Sequence, residues 1–149
     1  MVKENDMQRA TLDLLKPKTY EFELVPPVGD PMIVEMRDLT LADVLMIETE
    51  NQPPSPPVSG IEKDASGNLH NIHNYEDANY KVARENWARQ RMTAFIAKAW
   101  VMELPDDPTE CFAVIDSLAT WARSGLWQAT QMIMQGKEDA VRMRPFHGD

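Results

Sequence analysis

Apolar and charged residues alternate from Tyr20 through Glu21, Phe22, Glu23 and Leu24 to Val25. That period of two is the pattern of a half-buried strand. A second run, Met32 to Arg37, places Met32, Val34 and Met36 on one face. Pro26, Pro27, Gly29, Asp30 and Pro31 lie between the two runs, so the pair predicts a β-hairpin with a loop longer than the tight two-residue kind. A lone hairpin is marginal in water, and its apolar face must rest on helices. The period then changes. Thr40 is suited to cap a helix and Asp43 to complement its N-terminus. Leu41, Val44, Leu45 and Glu48 follow at helical spacing, which predicts a short amphipathic helix ending near Asn51.

From Gln52 to His73 the periodicity disappears. Pro53, Pro54, Pro56 and Pro57 favour extended geometry and oppose a helix or a central strand. Ser59-Gly60, Asp64 and Ser66-Gly67-Asn68 continue as loop chemistry, so 52–73 reads as a long Pro-rich loop. Such a run either docks on an aromatic groove or acts as a stiff spacer. A long helix is expected from Tyr75 to Glu103. Its apolar residues nearly encircle it beyond Met92 (Phe95, Ile96, Trp100, Val101), the mark of a helix covered on more than one side. Leu104-Pro105 ends it. Asp107-Pro108-Thr109-Glu110 starts another helix, with Asp as cap, Pro at the first position and Glu three residues after the cap. That helix is expected to reach Arg123, to break at Ser124-Gly125, and to be followed by a last helix from Leu126 to Gln135 with Gly136 as its C-cap. Residues 1–16 read as an N-terminal arm with a transient helix around Met7, Leu12, Leu14 and Leu15. Residues 137–149 read as a loose tail. The expected fold is α+β, mainly α: one domain over 17–136, with an N-terminal β-hairpin packed on a small bundle of about four helices.

Composition narrows the function. A net charge of −9 over 149 residues argues against a nucleic-acid binder, which needs a basic face. Cys111 is the sole cysteine, so no intrachain disulfide forms. It sits among Phe112, Val114 and Ile115, the setting of a small buried hydrophobe in a reducing compartment. No apolar run reaches the length of a membrane span, and the N-terminal residues lack the apolar core of a signal peptide. The expected location is therefore the cytosol. Reactive constellations are missing from the pattern. His70 and His73, with Glu76 and Asp77 close by, form an H-x-x-H in a polar stretch without cysteine, which is better read as surface histidines than as a metal site. Helix capping accounts for Asp107 in the Asp106-Asp107 pair. Glycine is too sparse for a phosphate loop. The chain is expected to be neither an enzyme nor a holder of metal or cofactor.

What is abundant is adaptable apolar surface. The chain has ten methionines and four tryptophans. Methionine moulds itself to irregular partners, and tryptophan is a frequent interface anchor. Trp87, Trp100, Trp121 and Trp127 on amphipathic helices are more often core than interface, but four within about forty residues exceed the ordinary need of one small core. Trp100 and Trp121 fall off the main apolar stripes. With Met102, Met132 and Met134 they are the candidate partner-binding residues. Arg91 shares a face with Trp87 and Tyr80, where it is expected to stack on Trp87, pair with a carboxylate, or reach solvent.

The layout resembles a known family. An acidic-apolar strand pair (Tyr20-Glu21-Phe22-Glu23-Leu24) leads into Val34-Glu35-Met36-Arg37-Asp38-Leu39-Thr40-Leu41-Ala42-Asp43. A variable loop, an Arg-rich aromatic helix (Trp87-Ala88-Arg89-Gln90-Arg91), Leu104-Pro105-Asp106-Asp107 and two further helices complete it. Over residues 17–136 this is similar to the tail assembly chaperones of long-tailed bacteriophages, although the proline run at 52–57 departs from the family pattern. The resemblance implies a mostly helical, non-enzymatic and often oligomeric protein of the host bacterial cytoplasm. Such a protein would coat the tape measure protein, help recruit the tail tube protein, and be absent from the finished virion. It also implies a second, frameshifted product, for which Gly136-Lys137-Glu138 is the suggestive position. Two other readings stand beside it: a small connector or tail completion protein of the virion, and a phage inhibitor of a host protein.

Overall fold

The computed structural model describes residues 9–135 and the strand Arg144–Pro145. The two alternating runs form β1 (Thr19–Leu24) and β2 (Met32–Arg37), paired antiparallel with Phe22 opposite Val34 and Tyr20 opposite Met36. Their shared face carries Tyr20, Phe22, Val34 and the fully buried Met36 into the core. Helix α2 (Leu41–Glu50) starts where expected. Asp43 N–H donates to Thr40 Oγ1 at 3.1 Å and Thr40 N–H donates to Asp43 Oδ2 at 3.0 Å, a reciprocal capping box. The fold is α+β and mainly α, with the N-terminal hairpin packed on helices.

Helix α3 (Ala78–Ala99) is shorter at both ends than expected, with Asp77 as its cap. Its first half is exposed apart from Tyr80 and Trp87, whereas Thr93, Ala94, Phe95 and Ile96 are four consecutive buried residues. A helix buried on successive residues must be covered all round, as the encircling apolar pattern predicts. Here one side meets Ile47 of α2 and the other meets Met36, Ile115 and Leu126. After Ala99 the chain turns extended. Trp100 bridges Met36 and Val101 N–H donates to Glu35 O at 2.9 Å, so 100–101 run beside β2 and not as the last turn of a helix.

Helices α4 (Pro108–Asp116) and α5 (Thr120–Gln135) follow, and here the expected boundaries need correction. The break lies at Ser117–Ala119, and α5 runs unbroken through Ser124 and Gly125. Gly125 is there for packing: a Cβ at this position would lie 2.1 Å from Leu24 Cδ1. A single glycine costs a helix only about 1 kcal/mol, less than tertiary burial returns along α5 through Leu126, Ala129, Thr130 and Ile133. The two buried threonines of this core are hydrogen-bonded. Thr130 Oγ1 donates to Leu126 O at 2.7 Å, and Thr93 Oγ1 donates to Asp116 Oδ1 while accepting from Arg123 Nη2.

Two further segments depart from expectation. Residues 52–73, read as a loop, contain a second hairpin, β3 (Val58–Lys63) and β4 (Leu69–His73). Its tip is built by Asp64, whose Oδ1 accepts from the N–H of Ser66 and of Asn68, and by Gly67 at φ +84°. Every residue of both strands is exposed except Gly60. A ribbon without a core face imposes no apolar alternation on its sequence, which is why the periodicity there is silent. The tail is the other departure: β5 (Arg144–Pro145) adds antiparallel to the outer edge of β1, with Glu21 opposite Arg144 and Tyr20 opposite Pro145. At the N-terminal end, α1 (Leu12–Leu15) is a single turn capped by Thr11. The Gly136 cap, the Gly136–Glu138 position, the rest of the 137–149 tail and the Met7 part of the N-terminal arm lie outside the described residues.

Candidate protein-binding surface

The tryptophans have separate roles. Trp87 Nε1 donates to Asn51 O at 2.7 Å, fastening the exposed half of α3 to the C-terminus of α2. Trp127 packs against both core clusters. Arg91 pairs with Glu48 Oε1 and lies 4.8 Å from the centre of the Phe95 ring, so its aromatic partner is Phe95 and not Trp87.

The five candidate binding residues do not form one groove. Trp100 packs on the core beside β2, with Met102 exposed just beyond it. Trp121 and Met132 come together on the β1 side of α5, where with Phe22, Leu24 and Val34 they line a recess of about 270 Å³. Met134 lies elsewhere, in a recess of about 400 Å³ among Leu15, Leu39, Val44 and Ile133. The separation follows from helical geometry: positions 121 and 132 share one stripe of α5, whereas 134 is turned by about 200° from 132.

Helix α2 exposes apolar side chains that helical spacing grouped on one amphipathic face. Leu41 is 73% exposed and Leu45 56%, one helical step apart beside Val44, while Ile47 takes the core position. Leu15 is 72% exposed and Leu12 83%. Thus α2 is apolar on two faces, and among the described residues it is the face of Ile47 that packs into the core. The signal that finds this is present: Leu41, Val44, Leu45, Met46 and Ile47 are too many apolar residues for one stripe of a ten-residue helix. Asp38 lines the recess, while on α2 Glu48 pairs with Arg91 and Asp43 lies 3.8 Å from Lys98.

A third recess, of about 550 Å³, lies between α3, α4 and α5, lined by Arg89, Met92, Leu118, Arg123 and Trp127 among others. Arg123 is engaged at one end: Nη2 donates to Thr93 Oγ1 at 2.8 Å and lies 3.6 Å from Asp116, while its buried Nε has no hydrogen-bond partner among the described residues.

The two histidines singled out in the sequence do not converge on one site. His70 and His73 are three residues apart on β4, which turns their side chains to opposite faces of the ribbon. His70 lies 3.8 Å from Glu62, and His73 Nδ1 lies 3.4 Å from Pro56 O. Burial pushes the Cys111 thiol pKa up, which lowers its thiolate fraction. Among the described residues no group of three potential metal ligands occurs, and no helix is long and apolar enough to cross a membrane. No family model matches this chain, and no curated protein or solved structure matches it.

Proposed function

We propose that this chain is a non-enzymatic tail assembly chaperone of a long-tailed bacteriophage, acting in the host cytoplasm on the tape measure protein and assisting tail tube assembly. The observations that support this reading are the exposed apolar pair Leu41 and Leu45 on α2 and the exposed Leu15 and Met134, which line a recess together with Val44. An amphipathic helix laid into an apolar groove is recognised through anchors at i, i+3, i+4 and i+7, and its acceptor needs adjustable apolar side chains.

Co-expression with the tape measure protein tests the proposal. Leu41→Glu and Leu45→Glu alter exposed positions, so thermal stability is expected to remain near the parent value. Capture of the tape measure protein should fall by tenfold or more, since removing an interface anchor costs about 2 kcal/mol. Undiminished capture by both folded variants, or retention of the chain in purified particles, would overturn the proposal.

A further inference from the structure

Basic side chains gather at the recess between α3, α4 and α5. It is a furrow between two helical stripes. On α3, Arg89 and Met92 stand three residues apart and share a face, and on α5 Arg123 and Trp127 stand one turn apart. The end of α4 contributes Asp116 and, just beyond it, Leu118. The two arginines converge. Arg123 Nη2 donates to the backbone oxygen of Arg89 at 3.3 Å as well as to Thr93 Oγ1 at 2.8 Å. Its guanidinium therefore lies against the turn of α3 that carries the Arg89 side chain.

The charge gathered there is under-compensated. The Arg123 side chain is only 21% exposed, and a hydroxyl and a carbonyl oxygen take its Nη2 donors. Asp116 Oδ1 stays 3.6 Å away, and the buried Nε has no hydrogen-bond partner among the described residues. A cation withdrawn from water is stabilised by an anion or by a full set of acceptors, and Arg123 has neither. Arg89 occupies an exposed position and makes no ion pair among the described residues. Two guanidiniums thus line the recess with a single carboxylate, a local excess of positive charge in a chain whose net charge is −9.

We propose that this recess binds a small organic monocarboxylate, with its charged end at Arg89 and Arg123 and its carbon body on Trp127, Met92 and Leu118. The class of ligand follows from the lining. The planar fork of a guanidinium matches a carboxylate. Asp116 offsets one of the two cations and repels a second negative charge, so a monoanion fits better than a dianion. Trp127, Met92 and Leu118 are half-buried and supply an apolar floor. The volume of about 550 Å³ falls within the roughly 300–1,000 Å³ of small-molecule sites, which in helical folds lie between helices. The site shares no lining residue with the Met134 recess and is independent of what the Leu41–Leu45 surface holds.

Naphthoate and its uncharged analogue naphthamide, similar in shape, test it by NMR titration of the full chain. Naphthoate should bind saturably and shift the Arg123 Nε–H resonance, and naphthamide should bind about tenfold more weakly. Arg89→Gln and Gln128→Glu alter exposed positions of the lining, so thermal melting should stay at the parent value. Each should lower naphthoate affinity about threefold, the first by removing a cation and the second by adding a carboxylate. Neither should change the binding of naphthamide. Equal affinity for the two probes, no saturable binding of naphthoate, or binding that leaves the Arg123 resonance unmoved would overturn the proposal. Undiminished naphthoate affinity in both folded variants would overturn it as well.

Discussion

Alanine at position 125 sets two effects of similar size against each other. Gly→Ala inside a helix ordinarily stabilises by about 1 kcal/mol, because the backbone loses less entropy on folding and the helix propensity rises. Position 125 lies inside α5, and its φ is not in the left-handed region, so that gain is available. The added Cβ, however, would stand 2.1 Å from Leu24 Cδ1, a distance at which something must move. Leu24 is buried, only 7% exposed, and overpacking a well-filled site typically costs about 1–3 kcal/mol. Leu24 Cγ is 3.6 Å away, an ordinary contact, so rotation of the side-chain end relieves part of the clash. The two effects leave Gly125→Ala neutral to destabilising by about 2 kcal/mol. In a Leu24→Ala background the clash is gone and the same substitution should stabilise by about 1 kcal/mol. Urea unfolding of the four proteins forms a double-mutant cycle, and the expected coupling is at least about 1 kcal/mol. Should Gly125→Ala stabilise the parent and the Leu24→Ala protein equally, the close approach of β1 to α5 would not be what requires glycine.

Two other outcomes follow from named contacts. The Asp43 pKa is held below its ordinary value of 3.8, chiefly by the Thr40 backbone N–H and further by its hydroxyl and by Lys98 and Arg37, against a raising contribution from burial. A depressed folded-state pKa contributes stability above the unfolded value that is lost as pH falls through the folded value. Urea stability should therefore drop less between pH 5 and about 3 in Asp43→Asn than in the parent, and identical acid slopes would refute the capping-box account. For the histidines, zinc titration followed by thermal melting should show no shift that disappears in His70→Ala. A stoichiometric shift lost in both His70→Ala and His73→Ala would refute the opposite-face placement.

Local chemistry left clear marks in the sequence. The alternation in Tyr20–Val25 and Met32–Arg37 could satisfy only a half-buried hairpin. Thr40 with Asp43, and Asp107 with Pro108, wrote two helix starts into three or four residues each. The all-round apolar character of α3 beyond Met92 foretold burial on several sides. These features are legible because the interactions that produce them span only a few residues.

Where the tertiary structure decided, the deciding contact was distant in sequence. Gly125 reads locally as a break, and only the approach of Leu24, a hundred positions earlier, makes it a packing residue inside a continuous helix. Trp121, Met132 and Met134 carry the same apolar signature, yet helical phase sends the first two to β1 and the third to the recess beside Val44. The β3–β4 ribbon escapes periodicity because no core divides its faces, and turn chemistry at Asp64 and Gly67 alone announces it. Leu41 and Leu45 show the limit most directly. Their spacing establishes that they share a face of a helix, but which apolar face of α2 is buried depends on where Phe95 and Ala94 place the core around Ile47. Periodicity names the faces of a helix, and packing against distant residues chooses between them.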